Sequence, residues 1–320
     1  MTLAWVLGAR GLLGSALCRA LSLRDVKTFA PSEKFQWGDE SRLRSQIELA
    51  AREFSAHASQ VKHWEIYWAA GVGTMASSEE SLGPETRALT WLLELIQSDA
   101  RLSAMPGKFV FSSSAGAIYA ACSDEVITER SLPAPNSAYG REKLSQEDLL
   151  RSFCAANPAM TVLLARISTL YGVGQATGKP QGLLTHVARS IVRNKPVKIY
   201  VPIDTIRDYI SVDDAAAEII AVLDELNSSV GVSVKIIASE RPVTIAEIIS
   251  IFKRVAKKSP KITTGVSGSS VLFARRVQFR SIVPIGARMR KIRSLTVGIA
   301  QLLGAERCAH ANPRRQSNSG

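Results

Sequence analysis

Gly8-Ala9-Arg10-Gly11-Leu12-Leu13-Gly14 follows the apolar run Ala4-Trp5-Val6-Leu7 and opens a helical pattern over residues 12–23. Each glycine has a mechanical reason to stand there. A tight turn, a close backbone approach to a pyrophosphate and close helix–strand packing all exclude a side chain. The helix N-terminus then presents unpaired N–H groups to phosphate oxygens. A glycine triplet alone is an ordinary turn; a strand before it and a helix after it turn it into a phosphate-binding loop.

The pattern around this loop is that of alternating strands and helices. Strand-like runs at 4–7, 26–29, 66–70, 109–112 and 161–165 alternate with helical stretches at 12–23, 40–54, 84–99 and 138–156. Leu89, Leu92, Leu93 and Ile96 show the helical recurrence, and Pro84 suits the first turn of its helix. This order predicts an α/β protein with a Rossmann-like, doubly wound parallel sheet. After a loop at 172–180 the pattern loosens. Helices are expected at 183–193, 212–226 and 245–257, and strands at 197–200, 208–210 and 233–237. The predicted organisation is a Rossmann domain over 1–170, to which some later segments return. A smaller α/β lobe covers 171–305, and a polar tail without order covers 306–320.

Composition narrows the function classes. The 320 residues are 46% hydrophobic, which allows a sizeable core, and only 6% aromatic, which argues against a stacking platform for nucleic acid. The formal net charge of +12 favours anionic partners. Much of it sits late, in Lys253, Arg254, Lys257, Lys258, Arg275, Arg276, Arg280, Arg288, Arg290, Lys291 and Arg293, and reads equally as a solvated basic face. Cys18, Cys122, Cys154 and Cys308 form no C-x-x-C pair, and His57, His63, His186 and His310 show no metal spacing, so no metal is expected. Scattered thiols, no leader-like start and no apolar run of roughly 18 residues predict a cytoplasmic protein without membrane contact.

Tyr139-Gly140-Arg141-Glu142-Lys143 carries the candidate chemistry. Residues four apart share one face of a helix, so phenol and ammonium can point into one cleft. A free tyrosine titrates at about 10, and a nearby cation stabilises its phenolate. Upstream, Ser112-Ser113-Ser114 closes a strand and offers hydroxyl donors.

Together these motifs resemble the extended short-chain dehydrogenase/reductases, the NAD-dependent epimerase/dehydratase (nucleotide-sugar) family, whose glycines are spaced G-x-x-G-x-x-G as here. The resemblance runs from Leu3 to about Leu226. It implies an NAD or NADP cofactor lined by Gly8, Arg10, Gly11, Leu12, Leu13, Gly14, Ser32, Asp39, Ala69, Ala70, Gly71, Tyr139, Lys143 and Ile167. In the family the aspartate matching Asp39 contacts the adenine, and the lysine also holds the nicotinamide ribose. A serine or threonine binds the substrate's reacting oxygen. Matching forward from Phe109-Val110-Phe111 gives Ser114 that role, with Ser113 in reserve; matching backward from Ile118-Tyr119 gives Ala115.

On the substrate side, Arg166-Ile167-Ser168-Thr169-Leu170-Tyr171-Gly172 resembles a family segment, with Thr169 where asparagine is usual. In Arg207-Asp208-Tyr209-Ile210-Ser211-Val212-Asp213-Asp214 the arginine matches one that pairs with a substrate diphosphate. Its structural alternative is an ion pair with Asp213 or Asp214. Implied substrate contacts are Ser113, Thr169 and Arg207, and implied partners are a nucleotide-diphosphate sugar or related anionic small molecule and a second copy of the chain in a homodimer. The expected activity is 4-epimerisation or keto-sugar reduction. A 4,6-dehydratase is disfavoured, because that branch has an acidic pair where this chain has Ala115-Gly116. The alternative from another class is a non-catalytic Rossmann protein that senses a dinucleotide and binds a macromolecule. NADP is favoured over NAD: no carboxylate closes the strand Val26-Lys27-Thr28-Phe29, while Arg10 stands inside the glycine loop.

Overall fold

A computed structural model describes residues 1–71, 73–174, 182–226, 230–265, 276–284 and 292–312. In chain order, β1 (Thr2–Leu7) leads through the glycine loop into α1 (Leu12–Leu21), then β2 (Val26–Phe29) and α2 (Glu40–Ala58). Next come β3 (His63–Trp68), α3 (Glu79–Ser98), α4 (Ala100–Ala104), β4 (Gly107–Ser114), α5 (Ala115–Ile118), α6 (Ala138–Ala156) and β5 (Met160–Ile167). The second half holds β6 (Thr169–Tyr171), α7 (Leu183–Arg193), β7 (Val197–Ile199), β8 (Ile206–Arg207), β9 (Tyr209–Ser211) and α8 (Val212–Glu225). It ends with β10 (Gly231–Ile237), β11 (Val243–Thr244), α9 (Ile245–Ala256), β12 (Ile262–Thr264) and α10 (Leu295–Ala311).

The central sheet has six strands in the order β10-β5-β4-β3-β1-β2, all parallel. Parallel strands covered on both faces read as continuous apolar runs, and β5 is buried at all eight positions. One face packs on α2, α3 and α6 through Trp5, Ile47, Phe54, Trp64, Leu89, Leu92 and Phe111. Trp5 meets Phe29 edge-on, with ring centroids 5.3 Å apart. The opposite face packs on α1 and α8 through Val6, Leu17, Val110, Leu163, Ala216 and Ile219. Each fully buried side chain of this kind contributes about 1.5–3 kcal/mol.

A separate core gathers α7, α9 and α10 around Leu184, Val187, Ile248, Phe252, Ile299 and Leu302. Asp208 joins the segments between the cores. Its carboxylate accepts from the Ser168 and Ser239 hydroxyls, at 2.6 and 2.8 Å, and from the backbone N–H groups of Ser239 and Arg241.

Two expectations need correction. Pro84 does not open its helix: α3 begins at Glu79, capped at Ser78, with Glu79 and Glu80 in the first turn and Leu82 buried. Acidic residues there complement the helix dipole, so the first turn holds despite the N–H that Pro84 lacks. Order also does not stop at Glu306, because α10 continues to Ala311 and Glu306 receives two hydrogen bonds from Arg189 of α7. Residues 313–320 of the expected tail, and 175–180 of the expected loop, lie outside the described residues.

Candidate functional site

The glycine loop sits at the C-terminal edge of the sheet. Gly8 has a φ of +82°, and a Cβ there would stand 2.6 Å from the Ala69 carbonyl oxygen, so only glycine fits between β1 and the end of β3. The Ala69 N–H in turn donates to the Leu7 carbonyl at 3.0 Å, and the Gly11 N–H to the Gly8 carbonyl at 2.8 Å. A side chain at Gly14 would overlap the Gly8 carbonyl, which is what lets α1 start this close to β1. Leu12 opens α1, Leu13 is buried beneath it, and Gly11 is the N-cap with no side-chain partner. The loop is therefore a backbone cradle ahead of a helix N-terminus.

From there a line of contacts leads to the tyrosine and lysine. Ala70 is buried, and Gly71 passes so close to Glu85 of α3 that a Cβ would lie 2.7 Å from its carboxylate. Glu85 accepts from the Lys143 Nζ at 2.6 Å, with both side chains buried. Lys143 also donates to the Gln146 side-chain carbonyl at 3.0 Å and lies 4.9 Å from the Phe111 ring centroid. Its Nζ is 5.8 Å from the centre of the Tyr139 ring. α6 presents both groups because Ser137 caps it, accepting from the Gly140 N–H at 3.1 Å, so that Ala138 and Tyr139 open the first turn.

The electrostatics differ from the sequence expectation. The Tyr139 phenol is held above its usual range: burial pushes it up most, Lys143 pulls it down, Glu85 pushes it up, and a hydrogen bond from Ser114 pulls it down. The lysine's pull is thus present but outweighed. Burial also draws the Lys143 ammonium down, yet the charges of Glu85 and the phenol hold it above its ordinary value.

The three serines separate. Ser114 ends β4 with its hydroxyl on the Tyr139 phenol. Ser113 is buried and donates to Glu147 of α6 at 2.7 Å. Glu147 is held in turn by the Arg166 guanidinium, which also reaches the Tyr119 hydroxyl. Among the described residues, the buried Ser112 hydroxyl has no hydrogen-bond partner. Ala115 begins α5 and is buried with Ile118, Tyr119 and Ile127, so it faces a core.

Neighbouring strand ends bring other expected residues to the same edge. Ile167 of β5 is paired in register with both Ser114 and Ile237. Thr169 pairs with Tyr209, and its N–H donates to the Asp208 carbonyl at 3.1 Å. Arg207 on β8 donates to the Ile206 carbonyl at 2.8 Å, and burial draws its guanidinium below its ordinary value. Of the carboxylates weighed as its partners, Asp213 pairs with Arg19 and Arg293, and Asp214 accepts from the Ser211 hydroxyl and the Arg293 backbone N–H.

Three further expected cofactor residues lie toward solvent. Arg10 is exposed. Asp39 caps α2, accepting from the Arg42 N–H at 3.1 Å. Ser32 gives its hydroxyl to Glu53 of α2 at 2.6 Å.

A model of the "NAD dependent epimerase/dehydratase family" matches residues 4–236. The chain belongs to this family. A UDP-glucose 4-epimerase of Erwinia amylovora is 27% identical over 218 residues, 63% of each chain. More widely, the chain spans about half the length of the curated relatives it matches. The Thermus thermophilus UDP-glucose 4-epimerase, solved with NAD, superposes with a TM-score of 0.77 at 20% identity, covering 97% of this chain and all of that one. RMD from Pseudomonas aeruginosa, solved with NADPH, gives 0.76 at 18% identity over 96% of this chain and all of that one. At those identities the likeness is one of fold.

Sequence reasoning missed Glu85 and Glu147. Both carried a signal. Glu85 falls on the buried stripe of α3, in register with Ala88, Leu89 and Leu92, where an apolar residue is the ordinary occupant. Glu147 lies one turn beyond Lys143 on the same face of α6.

Proposed function

We propose that this family member transfers hydride at a carbinol or keto carbon of a nucleotide-diphosphate sugar, as a 4-epimerase or a keto-sugar reductase. The observation that carries the proposal is the joining of a glycine cradle to a Ser114–Tyr139–Lys143 cluster at one edge of the sheet. A Cβ at Gly8 would fill the space beside β3, so the cradle fits a group that approaches the backbone closely, as a dinucleotide pyrophosphate does.

The bound nicotinamide would supply or accept the hydride. Tyr139 would hold or receive the proton of the substrate oxygen, acting as general acid or base. Ser114, hydrogen-bonded to that phenol, would turn its single O–H to the substrate oxygen as that oxygen's charge changes and accept from the phenol instead. Lys143 would stabilise the phenolate and bind the cofactor ribose. Arg207 would bind the substrate diphosphate through its guanidinium, and Thr169, paired with Tyr209, would contribute to the same side of the site. Ser113 serves Glu147 rather than substrate. Family membership supports this enzymatic reading over a non-catalytic dinucleotide sensor.

The test is direct. Purified protein is supplied with NAD or NADP and UDP-glucose, or with NADPH and a dTDP-4-keto sugar, and products are separated by chromatography. Interconversion of 4-epimers assigns the epimerase; consumption of NADPH with formation of the 4-hydroxy sugar assigns the reductase. Tight dinucleotide binding with neither reaction, over a range of nucleotide sugars, would overturn the proposal.

A further inference from the structure

Lys143 spends two of its three N–H donors inside the protein, on Glu85 and Gln146, leaving one for a ligand. The Glu85 partner is costly to place. Its carboxylate is buried on the core-facing stripe of α3, where Leu82, Ala88, Leu89 and Leu92 are its neighbours in register. A buried ion pair is often no more stable than apolar residues of the same volume. Stability therefore does not explain a carboxylate in that register, whereas contact with the Tyr139–Lys143 couple does. Glu85 also touches Gly71 at the end of β3, so it spans the distance between the dinucleotide side of the site and the proton-transfer side.

We infer that Glu85 is a positioning residue: its buried ion pair fixes the Lys143 ammonium and offsets the positive charge that Tyr139 experiences. The inference rests on the reading of Tyr139 as the proton-transferring group. The charged and titratable groups around the couple are few. On α6 they are Glu142, whose carboxylate accepts from Thr86, and Glu147, paired with Arg166; on α3, Glu85. β4 contributes the Ser114 hydroxyl and the Phe111 ring, and the backbone at Gly73 lies against the Tyr139 ring. Among the described residues, Glu85 is the carboxylate that bonds Lys143 directly. Burial and Glu85 together hold the phenol up against the pull of Lys143, so removing the Glu85 charge must let the phenol ionise at lower pH.

The measurement is an ultraviolet difference titration of the Tyr139 phenolate in the intact protein, each variant read against the same variant carrying Tyr139→Phe. Glu85→Gln is expected to lower the Tyr139 midpoint by about one pH unit, tenfold in the proton dissociation constant. Glu85→Asp, which keeps the charge, is expected to stay near the parent. A Glu85→Gln midpoint that is unchanged or raised overturns the inference. Should that variant not fold, comparing Glu85→Gln/Lys143→Gln with Lys143→Gln isolates the same charge, with the same downward shift expected and its absence equally decisive. The titration needs no substrate. A downward shift without turnover of any nucleotide sugar leaves this inference standing and sinks the proposed function; turnover with an unshifted midpoint does the reverse.

Discussion

At the level of single residues, proton transfer at Tyr139 makes the sharpest demand. Tyr139→Phe keeps the ring against Gly73 and removes only the hydroxyl. Turnover should fall by about a hundredfold or more, the scale of a lost general acid or base, while dinucleotide affinity measured by calorimetry stays within a few-fold. Near-normal turnover would remove Tyr139 from the mechanism. The serines make a paired prediction. Ser114→Ala should cut kcat with little effect on stability. Ser113→Ala should leave kcat close to the parent but cost about 1–3 kcal/mol in urea denaturation, because it strips a donor from the buried Glu147. The reverse pattern would show that the two hydroxyls have been interchanged. Here the sequence limited the reading for a physical reason. Spacing located a run of three serines beside a helix carrying Tyr-x-x-x-Lys. Only the pleat of β4 and the start of α5 at Ala115 show that neighbours in sequence face different partners.

At the level of elements, those with strong periodicity were legible to the residue. α6 and α7 were read from sequence with the bounds they have: Ser137 caps α6, whose buried face mixes Lys143, Gln146 and Glu147 with Leu150 and Phe153, while α7 carries a stripe of Leu184, Val187, Ala188 and Ile191 and ends on Asn194 in the left-handed region. Elements whose ends depend on tertiary contacts were not. α3 starts before Pro84, with Leu82 buried and Glu79 and Glu80 in its first turn, although the Ser78 side chain makes no capping bond. α10 passes Glu306 because that side chain meets Arg189 in a partly buried, two-bond ion pair. Glu306, Arg307, His310 and Asn312 look like the start of a polar tail, yet Leu302 and Leu303 one turn earlier are anchored in the second core. Glu306→Ala should therefore cost about 2 kcal/mol in urea denaturation, between the values for exposed and buried pairs. It should also raise amide exchange in 305–311 while leaving the central sheet protected. No change in either readout would mean that the last turns of α10 are held by something other than this pair.

At the level of the whole molecule, the question is how a net charge of +12 and a glycine cradle meet the cofactor. Part of the late basic charge is consumed internally: Arg276 pairs with Glu125 and Arg293 with Asp213. Lys253 and Arg254 stand in the last turn of α9, where cations complement the helix dipole. Arg10 is different. It is exposed next to the N-cap of α1, at the entrance to the cradle, and among the described residues it pairs with no carboxylate. A guanidinium there would meet the extra phosphate of NADP through charge-assisted hydrogen bonds. The strand β2 ends without a carboxylate of its own; the one that stands nearby is Glu53 of α2, which takes the Ser32 hydroxyl and N–H and opposes the extra phosphate unless Arg10 outweighs it. NADP should accordingly bind at least about tenfold more tightly than NAD, a difference of about 1.4 kcal/mol. Because ligand that binds only the folded chain stabilises it, a dinucleotide at a hundred times its Kd adds about 2.7 kcal/mol. At equal concentrations, NADP should then raise Tm further than NAD. Arg10→Ala should remove the difference between the two cofactors while leaving the NAD effect in place. The difference should also shrink with added salt, as contacts between exposed charges do. A larger Tm shift with NAD, indifferent to Arg10→Ala, would place the specificity in the cradle's backbone contacts instead and favour an enzyme that recycles NAD.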